Sequence, residues 1–125
     1  MPASILIVDD EPDFCTALRD ILEAEGHQVT VEPSASRALT RLEAGTPDLI
    51  LTDLMMPGLD GIGFLRRLRE RPAWSGICAV VISARGMAED LAEARAAGAD
   101  DYLVKPFSAD ELRALVASHL RRAQC

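Results

Sequence analysis

Short apolar runs alternate along the chain with longer stretches whose apolar residues recur at the helical period. Four runs rich in Ile, Leu and Val stand out: Ile5 to Val8, Asp48 to Thr52, Cys78 to Ser83, and Tyr102 to Val104. A fifth, Gln28 to Glu32, alternates polar with apolar and is predicted as an edge strand. Runs that are apolar on both faces are what a parallel sheet covered on both sides requires. The stretches between them are predicted as helices. Phe14, Ala17, Leu18, Ile21 and Leu22 form one stripe, Pro12 suits the opening turn, and Gly26 ends the helix. Ser34 is placed to cap a second helix carrying Ala38, Leu39 and Leu42, which Gly45 stops. A third spans about Gly61 to Glu70 with Phe64, Leu65 and Leu68 inward, and a fourth runs from about Met87 to Ala97 before Gly98. The last opens on Ser108-Ala-Asp-Glu111, a capping box, and sets Leu112, Leu115, Val116 and Leu120 on one side, running nearly to the C-terminus.

Five β-then-α units follow one another with short connections and without an internal repeat, a low-complexity stretch or a linker. Units of this kind fold as a doubly wound α/β domain, a parallel sheet with helices on both faces joined by right-handed crossovers. A length of 125 residues with 49% hydrophobic content fits a single domain over 1–125 with its own core. In such folds a ligand sits beyond the carboxyl ends of the strands, at the topological switch point.

Charge and cysteine usage narrow the function classes. A net charge of -7 argues against direct nucleic-acid binding, which needs clustered Lys and Arg. The three cysteines, Cys15, Cys78 and Cys125, are widely spaced and free of any C-x-x-C pattern, which suits a reduced, cytoplasmic protein in which Cys15 and Cys78 are small apolar filler. No apolar run approaches the roughly 20 residues that span a bilayer, and no signal peptide is visible, so membrane insertion is not expected.

At or just past the ends of the buried runs stand Asp9 and Asp10, Asp53, Ser83 and Lys105. Each alone is an ordinary cap or a solvated side chain. Placed side by side on four strands, they converge on one crevice. Carboxylates gathered there repel one another unless a divalent cation neutralises them, and Mg2+ prefers oxygen ligands such as Asp10, Asp53 and a main-chain carbonyl near Met55, with Asp9 acting through water. An Asp can serve as nucleophile towards a phosphoryl group, with Lys105 and the Ser83 hydroxyl spread around its oxygens.

The segments Ile5-Leu-Ile-Val-Asp-Asp-Glu-Pro12, Pro47-Asp-Leu-Ile-Leu-Thr-Asp-Leu-Met-Met-Pro-Gly-Leu-Asp-Gly61, Val81-Ile-Ser-Ala84 and Gly98-Ala-Asp-Asp-Tyr-Leu-Val-Lys-Pro-Phe107 resemble the receiver domains of two-component response regulators, over essentially the whole chain. The resemblance implies a flavodoxin-like fold with strand order 2-1-3-4-5. It implies Asp53 as phosphoacceptor, Asp9 and Asp10 as the metal pocket, Ser83 as switch hydroxyl, Tyr102 as switch aromatic and Lys105 as phosphate-binding lysine. It further implies a cis peptide between Lys105 and Pro106, and a phosphohistidine donor on a histidine kinase or histidine phosphotransfer protein. Phosphorylation would then draw Ser83 inward, turn Tyr102 and change the surface of the fourth helix, fifth strand and fifth helix, where an output domain or partner protein would read it. Glu11 is left outside the metal pocket, with stabilisation of the first helix as its alternative role.

Met55 and Arg85 flank the crevice and are expected to obstruct an attacking water and lengthen the life of the phosphorylated form; the alternative is that both point to solvent. Where receivers of winged-helix regulators carry charged residues for symmetric pairing, this chain has Leu91, Ala96 and Leu115, so pairing of that kind is not expected. Those residues make either an apolar strip for a partner or, for Leu115, part of the core. Two rival functions fit the residues less well. A small phosphatase or phosphotransferase using Asp53 would need a second acid or base, and neither His27 nor His119 lies at a strand end. A phosphorylation-independent binding module would have no use for the intact set of Asp, Ser and Lys.

Overall fold

The computed structural model describes residues 3–56 and 58–123. Its elements run β1 Ser4–Val8, α1 Pro12–Ala24, β2 Gln28–Glu32, α2 Ala35–Ala44, β3 Leu49–Thr52, α3 Gly61–Glu70, β4 Cys78–Ser83, α4 Ala88–Ala97, β5 Asp101–Val104 and α5 Ala109–Ala123. All four strand pairings are parallel and the order is β2-β1-β3-β4-β5, the flavodoxin-like arrangement expected from the resemblance. Pro57 and Cys125, which belong to the sequence readings above, lie outside the described residues.

The apolar runs became strands because both their faces are covered. Ile5 and Ile7 on β1 point into a core shared with Leu18 and Leu22 of α1 and with Leu112 and Val116 of α5. Leu6 and Val8 point the other way, towards Ala38 and Leu42 of α2, Phe64, Leu65 and Leu68 of α3, and Ala94 of α4. Fully burying a Leu, Ile or Phe of this kind contributes about 1.5–3 kcal/mol. The central strands β1, β3 and β4 are therefore almost wholly buried, while the edge strands β2 and β5 are only half covered.

The helix signals act as their chemistry requires. Ser34 Oγ accepts from Arg37 N at 3.2 Å. Ser108 and Glu111 close a reciprocal capping box, Glu111 N donating to Ser108 Oγ at 3.0 Å and Ser108 N to Glu111 Oε1 at 3.1 Å. Gly98 ends α4 in a left-handed conformation, φ 117°. One expectation is corrected: Ala17 is exposed, and the inward face of α1 is made by Cys15, Leu18 and Leu22. Those positions follow i, i+3 and i+7, and the thiol of Cys15 takes the inner place by donating to the Asp9 carbonyl at 3.4 Å.

The sheet's hydrogen bonding continues one residue past the strands, and this aims the polar residues. Asp9 N donates to Glu32 O, Asp53 N to Val8 O and Lys105 N to Ser83 O, at 3.2, 3.0 and 2.8 Å. Asp9, Asp53 and Lys105 thus leave the sheet at its carboxyl edge with backbones held by their neighbours.

Candidate phosphoacceptor site

Asp9, Asp10 and Asp53 each offer a carboxylate oxygen, and these atoms all lie within 4.8 Å of one another. Asp9 and Asp53 are buried and Asp10 is exposed. The donor set is all oxygen and all anionic, which fits a hard divalent cation. Asp53 Oδ1 is oriented by the backbone, accepting from Leu54 N at 2.7 Å and Met55 N at 3.3 Å. Asp9 Oδ1 accepts from Glu11 N at 2.9 Å. Burial pushes the Asp9 carboxyl above its ordinary value, and that hydrogen bond and the nearby Lys105 offset the rise only in part.

Lys105 reaches into the same crevice. Its ammonium lies 3.6 Å from Asp9 Oδ2, 3.6 Å from Asp53 Oδ2 and 3.5 Å from Glu11 Oε1. The peptide bond that follows it, Lys105–Pro106, is cis. Ser83 is buried at the end of β4, with its hydroxyl accepting from Arg85 N at 3.2 Å. Tyr102 leans over the core on the same side as α3 and α4, and its hydroxyl donates to the Arg85 carbonyl. Burial raises the Tyr102 phenol above its ordinary value, with the Ser83 hydroxyl nearby countering the rise in part. The crevice expected from the strand ends therefore holds Asp9, Asp10, Asp53 and Lys105 together, with Ser83 beside Lys105 at the end of β4 and Tyr102 at its flank.

The two flanking residues touch one another. Met55 is 59% exposed, yet its sulfur lies 3.5 Å from Arg85 Nη1. Arg85 also approaches Asp90 at 3.7 Å. Further along that face, Leu115 packs against the core, Leu91 is half-buried and Ala96 is exposed, so the three do not form a continuous exposed apolar strip. His27 and His119 stand away from the crevice. His27 Nδ1 accepts from Ala3 N, and His119 Nε2 pairs with Asp101 Oδ2 at 2.8 Å.

Three residues of the site escaped sequence reasoning. Glu11, set aside as a helix-dipole residue, is an ion partner of Lys105. Phe14, counted only as part of a helix stripe, lies with its ring 3.8 Å under the Lys105 ammonium. Gly61 opens α3 directly against the acceptor loop, where an added Cβ would sit 2.2 Å from the Asp53 carbonyl oxygen. For Glu11 and Phe14 the available signal was their place within one helical turn of the acidic pair; for Gly61 it was a glycine at the start of a helix, where a better helix former is usual.

The family model described as response regulator receiver domain matches residues 5–117. The chain is a member of that family. It is 43% identical over 124 residues to the phosphate regulon transcriptional regulatory protein PhoB of Rhizobium meliloti, covering 99% of this chain and 55% of that one. The receiver domain of Francisella response regulator 1452 superposes with a TM-score of 0.88 at 33% identity, covering 96% of this chain and 98% of that one. The BeF3-activated N-terminal receiver domain of Klebsiella pneumoniae RstA does so with a TM-score of 0.88 at 32% identity, over 94% and 98% of the two chains. This receiver accordingly has the phosphoacceptor role of two-component response regulators, which makes it a signalling protein. It spans about half the length of the full-length regulators it matches. Among the described residues, no helix of the receiver is long and apolar enough to cross a membrane.

Proposed function

We propose that the receiver accepts a phosphoryl group on Asp53 from a phosphohistidine of a histidine kinase or histidine phosphotransfer protein. The observation that carries this reading is the meeting of Asp9, Asp10 and Asp53 with the Lys105 ammonium at one strand-end crevice. Asp53 Oδ2, facing Lys105, is the attacking oxygen; the new O–P bond forms as the N–P bond of the donor histidine breaks, and the freed imidazole takes a proton from solvent. Asp9, Asp10, Asp53 and the Met55 carbonyl would hold Mg2+, which supplies neutralisation of charge on the transferring group. Lys105 binds one phosphoryl oxygen and the Ser83 hydroxyl donates to another. The protein catalyses only its own loading and unloading.

As Ser83 moves to the phosphoryl group, its bond to Arg85 N is given up, and Tyr102, tied to the Arg85 carbonyl, follows the β4–α4 connection. That chain of contacts supports α4, β5 and α5 as the surface read by an output domain or partner protein. Met55 and Arg85, in contact across the mouth, screen Asp53 from water and prolong the phosphorylated state. The domain extends over 1–125 and works in the cytoplasm, without direct contact to nucleic acid. Intact-protein mass spectrometry after incubation with acetyl phosphate and Mg2+ tests the reading. One added phosphoryl group, absent in Asp53→Asn and without Mg2+, is expected; uptake by Asp53→Asn would refute it.

A further inference from the structure

The position of the Lys105 ammonium poses a problem that its carboxylate neighbours do not solve. Its distances to Asp9, Asp53 and Glu11 are 3.6, 3.6 and 3.5 Å, all well beyond the roughly 2.7–2.9 Å of a charge-assisted hydrogen bond. A flexible ammonium among three anions ordinarily closes onto one of them. Here it stays between them, and a ring face lies directly against it: Nζ is 3.8 Å from the centroid of the Phe14 ring, within the range of a cation–π interaction. That ring is braced in turn. Phe107, two residues after Lys105, meets Phe14 edge to face, with centroids 6.1 Å apart and planes at 80°. Lys105, Phe14 beneath it and Phe107 form one closed cluster between the start of α1 and the approach to α5.

We propose that Phe14 is a positioning residue for phosphoryl transfer: its ring face holds the Lys105 ammonium between Asp9, Glu11 and Asp53, free to meet a phosphoryl oxygen without first breaking a short ion pair. The proposal rests on the reading of Asp53 as acceptor and Lys105 as phosphate ligand. Without the ring, the ammonium closes onto Asp9 or Glu11, and the transferring group must pull it away. The effect is therefore on the rate of loading, and it scales with the electron density of the ring face rather than with its bulk.

Two measurements on the whole chain test this. In NMR, the ε-methylene protons of Lys105 should be shifted upfield by the Phe14 ring current in the wild type and in Phe14→Tyr, and return to ordinary positions in Phe14→Leu. In loading by acetyl phosphate with Mg2+, Phe14→Leu should be slower by about threefold to tenfold, while Phe14→Tyr stays near wild type. Replacement of Phe14 by trifluorinated phenylalanine, which keeps the shape but drains the ring face, should fall between them, with thermal midpoints matched across the set. An absent ring-current shift overturns the proposal. So does a trifluorinated variant as fast as wild type, or a Phe14→Tyr variant as slow as Phe14→Leu, since each assigns Phe14 a packing role only. If the ring-current shift is present but wild type takes up no phosphoryl group that depends on Asp53, the acceptor reading is what has failed, and the positioning role falls with it.

Discussion

Replacing Gly61 with alanine should damage both the stability of the domain and the geometry of its acceptor. The added Cβ would lie 2.2 Å from the Asp53 carbonyl oxygen and 2.7 Å from the Leu54 Cα. Non-bonded heavy atoms settle at about 3.5–4.0 Å, so relief needs a displacement on the order of 1 Å. Both obstructing atoms belong to the backbone, and neither can swing aside as a side chain would. Overpacking by a single methyl costs about 1–3 kcal/mol, and with rigid partners the upper end applies, a fall in thermal midpoint of roughly 10 °C for a domain of this size. The part that yields is the segment bearing Asp53, because Gly61 N also donates to Leu54 O at 3.0 Å and ties α3 to that segment. A misplacement of about 1 Å at a reacting group can cost on the order of a hundredfold in rate. Trp74, the single tryptophan and well buried, reports unfolding by fluorescence in urea, and loading by acetyl phosphate is followed by mass spectrometry below the transition. A stability change under about 0.5 kcal/mol, the range of an ordinary surface substitution, would refute the close approach of α3 to the acceptor.

Met55→Asn and Arg85→Ala should each speed dephosphorylation by about two- to fivefold, as loss of one weak shielding contact implies; unchanged rates in both would end the shielding idea. Ser34→Ala removes the acceptor for Arg37 N and should lower stability to urea by about 0.5–2 kcal/mol, leaving loading by acetyl phosphate as it was. Cys15 and Cys78 are both pushed by burial from 9.0 up to about 11. In the folded protein at pH 8 their thiolate fraction, and with it iodoacetamide labelling mapped by peptide mass spectrometry, should be on the order of a hundredfold below that of the denatured chain. Because folding favours the protonated thiols, the stability they contribute is fully present below pH 9.0 and is lost as pH rises through about 11. Labelling at equal rates in both states would contradict this.

Much of the fold is legible in local pattern. A strand buried on both faces must be apolar throughout, so β1, β3 and β4 announce themselves, and β2 reveals its edge position by alternating. The caps at Ser34 and Ser108 are chemistry between neighbours in the chain, and they form as spaced. The crevice follows from the same logic, since polar residues just past buried strands emerge at one edge of a parallel sheet. Helical period alone misjudged Ala17, because a stripe gives the direction of a buried face but not its centre; that depended on how α1 lies against β1 and α5.

What only the tertiary structure decided are contacts between residues of different segments whose types carry no mark of one another. Phe14 under Lys105, Arg85 between Met55 and the Tyr102 hydroxyl, and Gly61 against Asp53 are of this kind. Each depends on the angle at which one element docks against another, set by the summed packing of two cores rather than by any local preference. The sequence by itself determined which elements form, how they alternate and which side chains stand at the strand ends, because those rest on period, caps and burial. The distances at which these side chains meet rest on close packing, which exists only once the chain has folded.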